Sequence, residues 1–381
     1  MLKIYKLNKI VFPLFSSKNE TYICPVLGSK NDFDNCYQLA KGWRYFKYLN
    51  VIQNISGQYF QSITSVNDLL IKSKKHSMEC KKKLESLLEK LIIKRESIIN
   101  LNFSKCNFMG ILNITPDSFL PSSRIENMKH FNNKINDLKK YDLDIVDIGA
   151  ESTRPNAKAI SVDEEYSRIN KYLNFLSKLN LNIKTSLDSR NYETIKKCLK
   201  FNISIINDVS GLSDQRVIKL IKNKKISVVV MHMQNNPENM QLNPSYNFAP
   251  IDIFNFFKER IKFLLKSGIK LSQIIVDPGF GFGKTLEHNL HLLKYLPLFH
   301  SLGVPILVGL SRKVLIENIS KKKFINNRYD SLIFSPKHRL GGSLSLELNA
   351  YNNGSQIIRT HDTFESMQSI YCSEAVDINT S

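Results

Sequence analysis

The chain has 381 residues, 42% of them hydrophobic, which allows one large domain with an appendage or two ordinary domains. Its net charge of +20 raises the question of a polyanion partner, but the lysines are dispersed and no RNP-like aromatic motif occurs. That pattern is a solvated basic surface, which excludes nucleic acid as the expected partner and still favours a small anionic substrate. No apolar run approaches membrane-spanning length, so no membrane partner is expected. Six cysteines (Cys24, Cys36, Cys80, Cys106, Cys198, Cys372) form no CxxC pair, which argues against a zinc ribbon or disulfide framework and for a reducing compartment, the cytoplasm.

The opening stretch, MLKIYKLNKIVFPLFSSK, is basic with an apolar patch too short for a signal-peptide core, and it reads as a folded strand. From Ser73 to Ser97, Leu84, Leu87, Leu88 and Leu91 recur at helical spacing and predict one amphipathic helix, followed by the connector IINLNFSKCN. From Phe108 the character changes. Short β-branched runs (FMGILNIT, LDIVDIGA, NIKTSLD, ISIINDV, ISVVVMHM, QIIVDPG, PILVGLS, SQIIRTHD) alternate with helical patterns such as Asn191–Lys200, Ile251–Leu265 and Glu287–Phe299. The runs are near-continuously apolar, as strands buried on both faces should be. Eight such units over roughly 270 residues fit an α/β fold, a (β/α)8 TIM barrel of typically ~250 residues. A doubly wound open sheet competes, but no glycine fingerprint follows the first strand. The expected division is an N-terminal extension, 1–104, and a barrel, 105–381.

One stretch, VDPGFGFGKT (Val276–Thr285), looks like a phosphate-gripping loop. A P-loop requires glycine where Pro278 stands, and Gly279, Gly281 and Gly283 alternate instead of following a dinucleotide fingerprint. The loop therefore takes its meaning from its neighbours, with Lys284 expected to be only a charged neighbour of a pocket.

Each apolar run ends in residues a core would not choose: Asn113, Thr115 and Asp117; Glu151, Thr153 and Arg154; Asp188; Asn207 and Asp208; His232 and Gln234; Asp277; Ser311, Arg312 and Lys313; Arg359, His361 and Asp362. In a barrel the C-terminal strand ends converge on one mouth, where active sites lie. A lone strand-end aspartate is more often a helix cap, but eight consecutive polar strand ends are not readily accidental. Asp188, Asn207, Asp277 and Lys313 offer donors and acceptors suited to a flat heterocycle. Arg154, Arg359 and His361 offer cationic donors for phosphate or pyrophosphate, and Asn113 a neutral oxygen acceptable to Mg²⁺. No Ser-His-Asp arrangement, HExxH or CxxC is present, so covalent and zinc-dependent mechanisms rank low.

The segments MGILNITPDSF, DIGAESTRP, IINDVSGL, MHMQNNPENMQ, DPGFGFGKT, GLSRK and IIRTHD, in this order, resemble the motifs of the dihydropteroate synthase family. The resemblance spans Phe108 to just beyond Asp362. It implies a transferase that condenses 4-aminobenzoate with 6-hydroxymethyl-7,8-dihydropterin diphosphate, releasing pyrophosphate in folate biosynthesis. By that resemblance Asp188, Asn207, Asp277 and Lys313 hold the pterin, with Asp188, Asp277 and Lys313 as the catalytic set. Asn113 meets Mg²⁺ and pyrophosphate, with Arg154, Arg359 and His361 in the anion pocket. Thr153, Pro155, Phe282, Ser311 and Arg312 border the aminobenzoate, and a homodimer is expected. The chain departs from the family pattern at Leu120-Pro121-Ser122-Ser123, where a Ser-Asp-Gly-Gly-like stretch is usual, and at Asn156. A pterin-binding methyltransferase and a synthase-like binder without turnover are the competing readings.

Overall fold

The computed structural model describes residues 4–7, 9–16, 19–114, 125–151, 160–179, 182–235, 239–323 and 335–379. The N-terminal part builds a sheet of its own from β1 (Tyr5–Lys6), β2 (Asn19–Gly28), β3 (Tyr37–Gln38), β4 (Tyr45–Ile55) and β5 (Gln58–Ser65), with β4 central. Two helices follow, α1 (Val66–His76) and α2 (Met78–Ile92). The single helix predicted over Ser73–Ser97 is thus two. Ser77 is extended between them, and its Oγ accepts from the Cys80 N–H at 3.0 Å to start α2.

Strand periodicity divides this sheet between two cores. Ile23, Leu49 and Val51 pack with Leu69, Leu84, Leu88 and Leu91 of the two helices. The alternate residues Tyr22, Cys24, Ile52 and Tyr59 belong to the core of the rest of the molecule.

That larger part is a barrel of eight parallel strands: β6 (Asn107–Asn113), β7 (Ile145–Gly149), β8 (Lys184–Asp188), β9 (Ile205–Asp208), β10 (Ser227–Met231), β11 (Ile274–Asp277), β12 (Leu307–Gly309) and β13 (Ile357–Thr360). The seam between β11 and β12 is joined by the Val276 N–H donating to the Pro305 carbonyl at 3.0 Å. Helices α3 (Met128–Lys140), α4 (Val162–Lys178), α5 (Tyr192–Cys198), α6 (Gln215–Ile221), α7 (Ala249–Lys266), α8 (Leu286–Lys294), α9 (Val314–Lys323), α10 (Leu340–Asn352) and α11 (Thr363–Asn379) complete it. The eight predicted strands and the barrel are both present.

Inside the barrel the residues sort into layers. Met109, Ile145, Ile205, Val229, Ile275, Leu307 and Ile357 form an apolar floor, sealed from below by Ile99 and Phe103 of the connector. Two residues further along, four of these seven strands present Asp147, Asn207, Asp277 and Arg359. A step of two keeps the face while changing the chemistry, so the polar layer stands directly on the apolar one. Among the described residues no helix is long and apolar enough to cross a membrane.

Candidate active site

The polar layer is joined across the barrel. The Arg359 guanidinium of β13 donates from Nε to Asp147 Oδ2 of β7 at 2.7 Å and from Nη2 to Asp188 Oδ2 of β8 at 2.8 Å. Asn207 of β9 donates from Nδ2 to the same Asp147 oxygen at 3.0 Å. One guanidinium thus bridges two carboxylates on separate strands, which only inward-facing side chains can do. Burial pushes Asp188 above the usual carboxylate range against the pull of Arg359, and nearby Asp147, Glu165 and Glu151 push the same way. Asp147 Oδ1 is buried with no hydrogen-bond partner among the described residues. An unpaired buried carboxylate oxygen is costly, and the two donors on Oδ2 are what hold the group in place.

Asp147 is the residue that the strand-end search missed. It sits in the middle of LDIVDIG, and its signal is a charge on the inward face of an otherwise apolar strand. Arg359, expected in the anion pocket, ties Asp147 to Asp188.

On the opposite side Asp277, at the end of β11, accepts from the Gly279 N–H at 2.8 Å, and burial holds its pKa up. The stretch from Gly279 to Gly283 turns back over the mouth. At Gly279, with φ +69°, a Cβ would lie 2.1 Å from the His232 carbonyl oxygen, so no side chain fits. The loop presents the Phe280 carbonyl to Lys313 Nζ, which also lies 4.4 Å from the centre of the Phe282 ring. Burial lowers Lys313 to about 8, with Asp277 opposing the shift. Asp277, Lys313 and Phe282 are therefore brought together.

His361 stands beside Ser311 at the same rim. Burial, with Arg359, Arg312 and Lys313 nearby, drives it to about 3, leaving a neutral imidazole whose Nδ1 lies 3.1 Å from Ser311 Oγ. Arg312 is equally committed. Its guanidinium donates twice to Asp362, at 2.7 and 2.6 Å, and once each to the Pro336 and Lys337 carbonyls. It therefore anchors the segment leading to α10, with Ser311 Oγ 3.4 Å from the same Asp362.

Other strand-end residues take the plainer role. Asp208 accepts from the Ser210 and Leu212 N–H groups, and Gln234 exchanges hydrogen bonds with Ser245. Glu151 receives Arg190 in a forked pair at 3.2 Å. Lys284 is not a solvated neighbour of the pocket but a buried side chain among backbone carbonyls. Asn113, at the end of β6, is half-buried. Thr115, Asp117, Leu120-Pro121, Thr153, Arg154, Pro155 and Asn156 lie outside the described residues.

Among the described residues no three His, Cys, Asp or Glu side chains are grouped to hold a metal. Among the described residues the donor set offers no zinc site of protein ligands alone. Asn113 offers a neutral amide oxygen, a ligand type that Mg²⁺ accepts beside substrate oxygens and water.

Residues 109–361 match the family model of pterin binding enzymes. The chain is similar to the dihydropteroate synthase of Escherichia coli K12, 36% identical over 280 residues, covering 72% of this chain and 93% of that protein. Among solved structures it is similar to the Yersinia pestis dihydropteroate synthase with a sulfonamide drug complex (TM-score 0.66, 33% identity, 72% of this chain and 96% of that one). It is also similar to the Xanthomonas albilineans dihydropteroate synthase with 4-aminobenzoic acid (TM-score 0.62, 31% identity, 72% and 94%).

Proposed function

The chain belongs to the dihydropteroate synthase family of pterin-binding enzymes, and from that premise we propose how its own residues carry the reaction. It joins 4-aminobenzoate to 6-hydroxymethyl-7,8-dihydropterin diphosphate. The bond from the exocyclic carbon to the diphosphate oxygen breaks, the arylamine nitrogen bonds that carbon and gives up a proton, and pyrophosphate leaves.

The observation that carries the assignment of residues is the polar layer above the apolar floor, where Arg359 bridges Asp147 and Asp188 and Asn207 joins them. Asp188, Asn207 and Asp277 present acceptors and one amide to the ring N–H and C=O edges of a pterin lying across them, with buried Asp147 holding Arg359 and Asn207 in place. Lys313 closes the open side as a donor. These carboxylates stabilise the positive charge that grows on the exocyclic carbon as the C–O bond lengthens, because they are fixed before the charge forms. Phe282 and Ser311 border the arylamine, which needs positioning more than activation. Neutral His361 serves the diphosphate as a hydrogen-bonding edge rather than as a charge. Asn113 would hold Mg²⁺, which when bound neutralises the diphosphate leaving group. Residues 1–104 form the structural layer and 105–381 the catalytic unit, and unpaired cysteines throughout suit the cytoplasm.

The test is pyrophosphate release from the pterin diphosphate with 4-aminobenzoate and Mg²⁺ each supplied or withheld. Release that requires all three, and that falls at least about tenfold (about 1.4 kcal/mol) in Lys313→Ala and Asp188→Asn, is expected. Near-wild-type rates in both variants would overturn the assignment of residues, and no release from the intact protein would overturn the reaction.

A further inference from the structure

Lys284 is the residue that makes VDPGFGFGKT look like a phosphate cradle, yet its Nζ is taken up by backbone carbonyls. Its side chain is 4% exposed. Nζ donates to the Gly279 carbonyl at 2.8 Å, the Phe282 carbonyl at 2.8 Å and the His232 carbonyl at 3.2 Å, and lies 3.2 Å from His232 Nδ1. An ammonium has three N–H groups, and three carbonyls take them. Two of those carbonyls belong to the glycine loop and one to the segment after β10, so the ammonium ties two neighbouring strand ends together.

The loop needs such a tie. Gly279, Gly281 and Gly283 all have positive φ, and a chain so rich in glycine has many conformations to lose on ordering. Phe280, fully buried, fixes the loop's position, yet an apolar anchor does not orient carbonyls. Charge-assisted hydrogen bonds do, and inside a protein they are the stronger kind. Asn289 adds a second polar anchor, its Oδ1 accepting from the Gly281 N–H at 2.8 Å. A buried ammonium is unfavourable unless compensated. Desolvation, with Lys313 nearby, pulls its pKa well below the usual lysine value; Asp277 opposes that shift, and the three carbonyls are its hydrogen-bond partners.

We infer that Lys284 is a positioning residue: its ammonium locks the glycine loop to the end of β10 and so fixes Phe282 and the Phe280 carbonyl against Lys313. This rests on the reading above that Lys313 and Phe282 face the substrates. Lys284 itself touches neither.

The experiment is Lys284→Met in the full chain, read in two ways. Without any ligand, backbone amide exchange in the peptide containing residues 279–283 should quicken at least about tenfold while that containing β9 is unchanged. In steady state, KM for 4-aminobenzoate should rise at least about fivefold, and more than KM for the pterin diphosphate. A folded variant with unchanged loop exchange, or with both KM values changed equally, overturns the inference. The exchange arm reads the loop even if the wild type releases no pyrophosphate, which separates failure of this inference from failure of the reaction. Should the variant not fold, amine acylation of the wild type decides. Lys284 should react at least about tenfold more slowly than the exposed Lys222, as a buried, hydrogen-bonded amine must, and an equal rate overturns the inference.

Discussion

A carboxylate in the middle of a buried strand has to be held by something, and Asp147 is held by two donors at once. Arg359 at 2.7 Å and Asn207 at 3.0 Å share its Oδ2, while Oδ1 is left without a partner among the described residues. Replacing Asp147 with alanine would leave Arg359 with Asp188 alone. Breaking a buried pair from one side costs about 3–5 kcal/mol, so a clear fall in the urea midpoint is expected. Asp147→Asn keeps the shape and is the cleaner kinetic probe. It removes the charge that holds Arg359 and Asn207, and kcat/KM for the pterin diphosphate should drop at least about tenfold. Wild-type kinetics in Asp147→Asn would remove this residue from the site. The strand ends were legible because a polar residue after an apolar run stands out in one dimension. Asp147 and Lys284 were not, because their partners sit on other strands and only closure of the barrel brings them within reach.

Whole elements were legible where one period ruled and lost where two faces were both buried. The eight barrel strands are continuous apolar runs and were read as such. The strands from Asn19 to Ser65 pack one face on α1 and α2 and the other on the barrel, so their sequence shows neither a clean alternation nor a long apolar run. The helix expected over Glu287–Phe299 ends at Lys294, since Pro297 cannot continue it, and a 3₁₀ turn spans Leu296–Leu302 with every residue buried. Between α10 and α11 lies a titratable contact no pattern reveals. Glu347 Oε2 accepts from Ser366 Oγ at 2.6 Å, and burial raises Glu347 from 4.5 to about 8. Because the folded state holds this proton more tightly than the unfolded chain, its stabilising effect is complete below the ordinary glutamate range. It is lost as pH climbs through about 8. Glu347→Gln has no such proton. Relative to that variant, the wild type should lose up to about 1.4 kcal/mol per pH unit across this window, measured by denaturant midpoints. Parallel pH profiles would show that Glu347 stays unprotonated in the fold.

At the scale of the whole molecule the question is whether the N-terminal layer is a separate body or part of the barrel's own core. The family match begins only at residue 109, yet the contacts run deep. Tyr22 packs edge-on against Phe254 and its hydroxyl meets Asn255, Tyr59 lies against Phe248, and Ser301 Oγ donates to the Ile23 carbonyl at 2.9 Å. Arg95, just after α2, donates to the buried His300 carbonyl at 3.0 Å. Stripping the layer away would expose the 3₁₀ turn and the aromatic faces of α7, at about 25 cal/mol for each Å² of apolar surface. Two bodies sharing that much core should unfold as one. Trp43 makes this measurable, because it is the sole tryptophan of the chain and sits at the junction. It is stacked on Tyr351 of α10 at 5.1 Å and 11°, with Nε1 donating to the Tyr351 carbonyl at 3.2 Å. Its fluorescence reports the layer's attachment, whereas far-ultraviolet circular dichroism is dominated by the barrel helices. In urea the two signals should trace one transition with one midpoint, the signature of a single cooperative unit. A tryptophan transition completed before the helices melt would mean that the layer detaches alone and that residues 105–381 keep their fold without it.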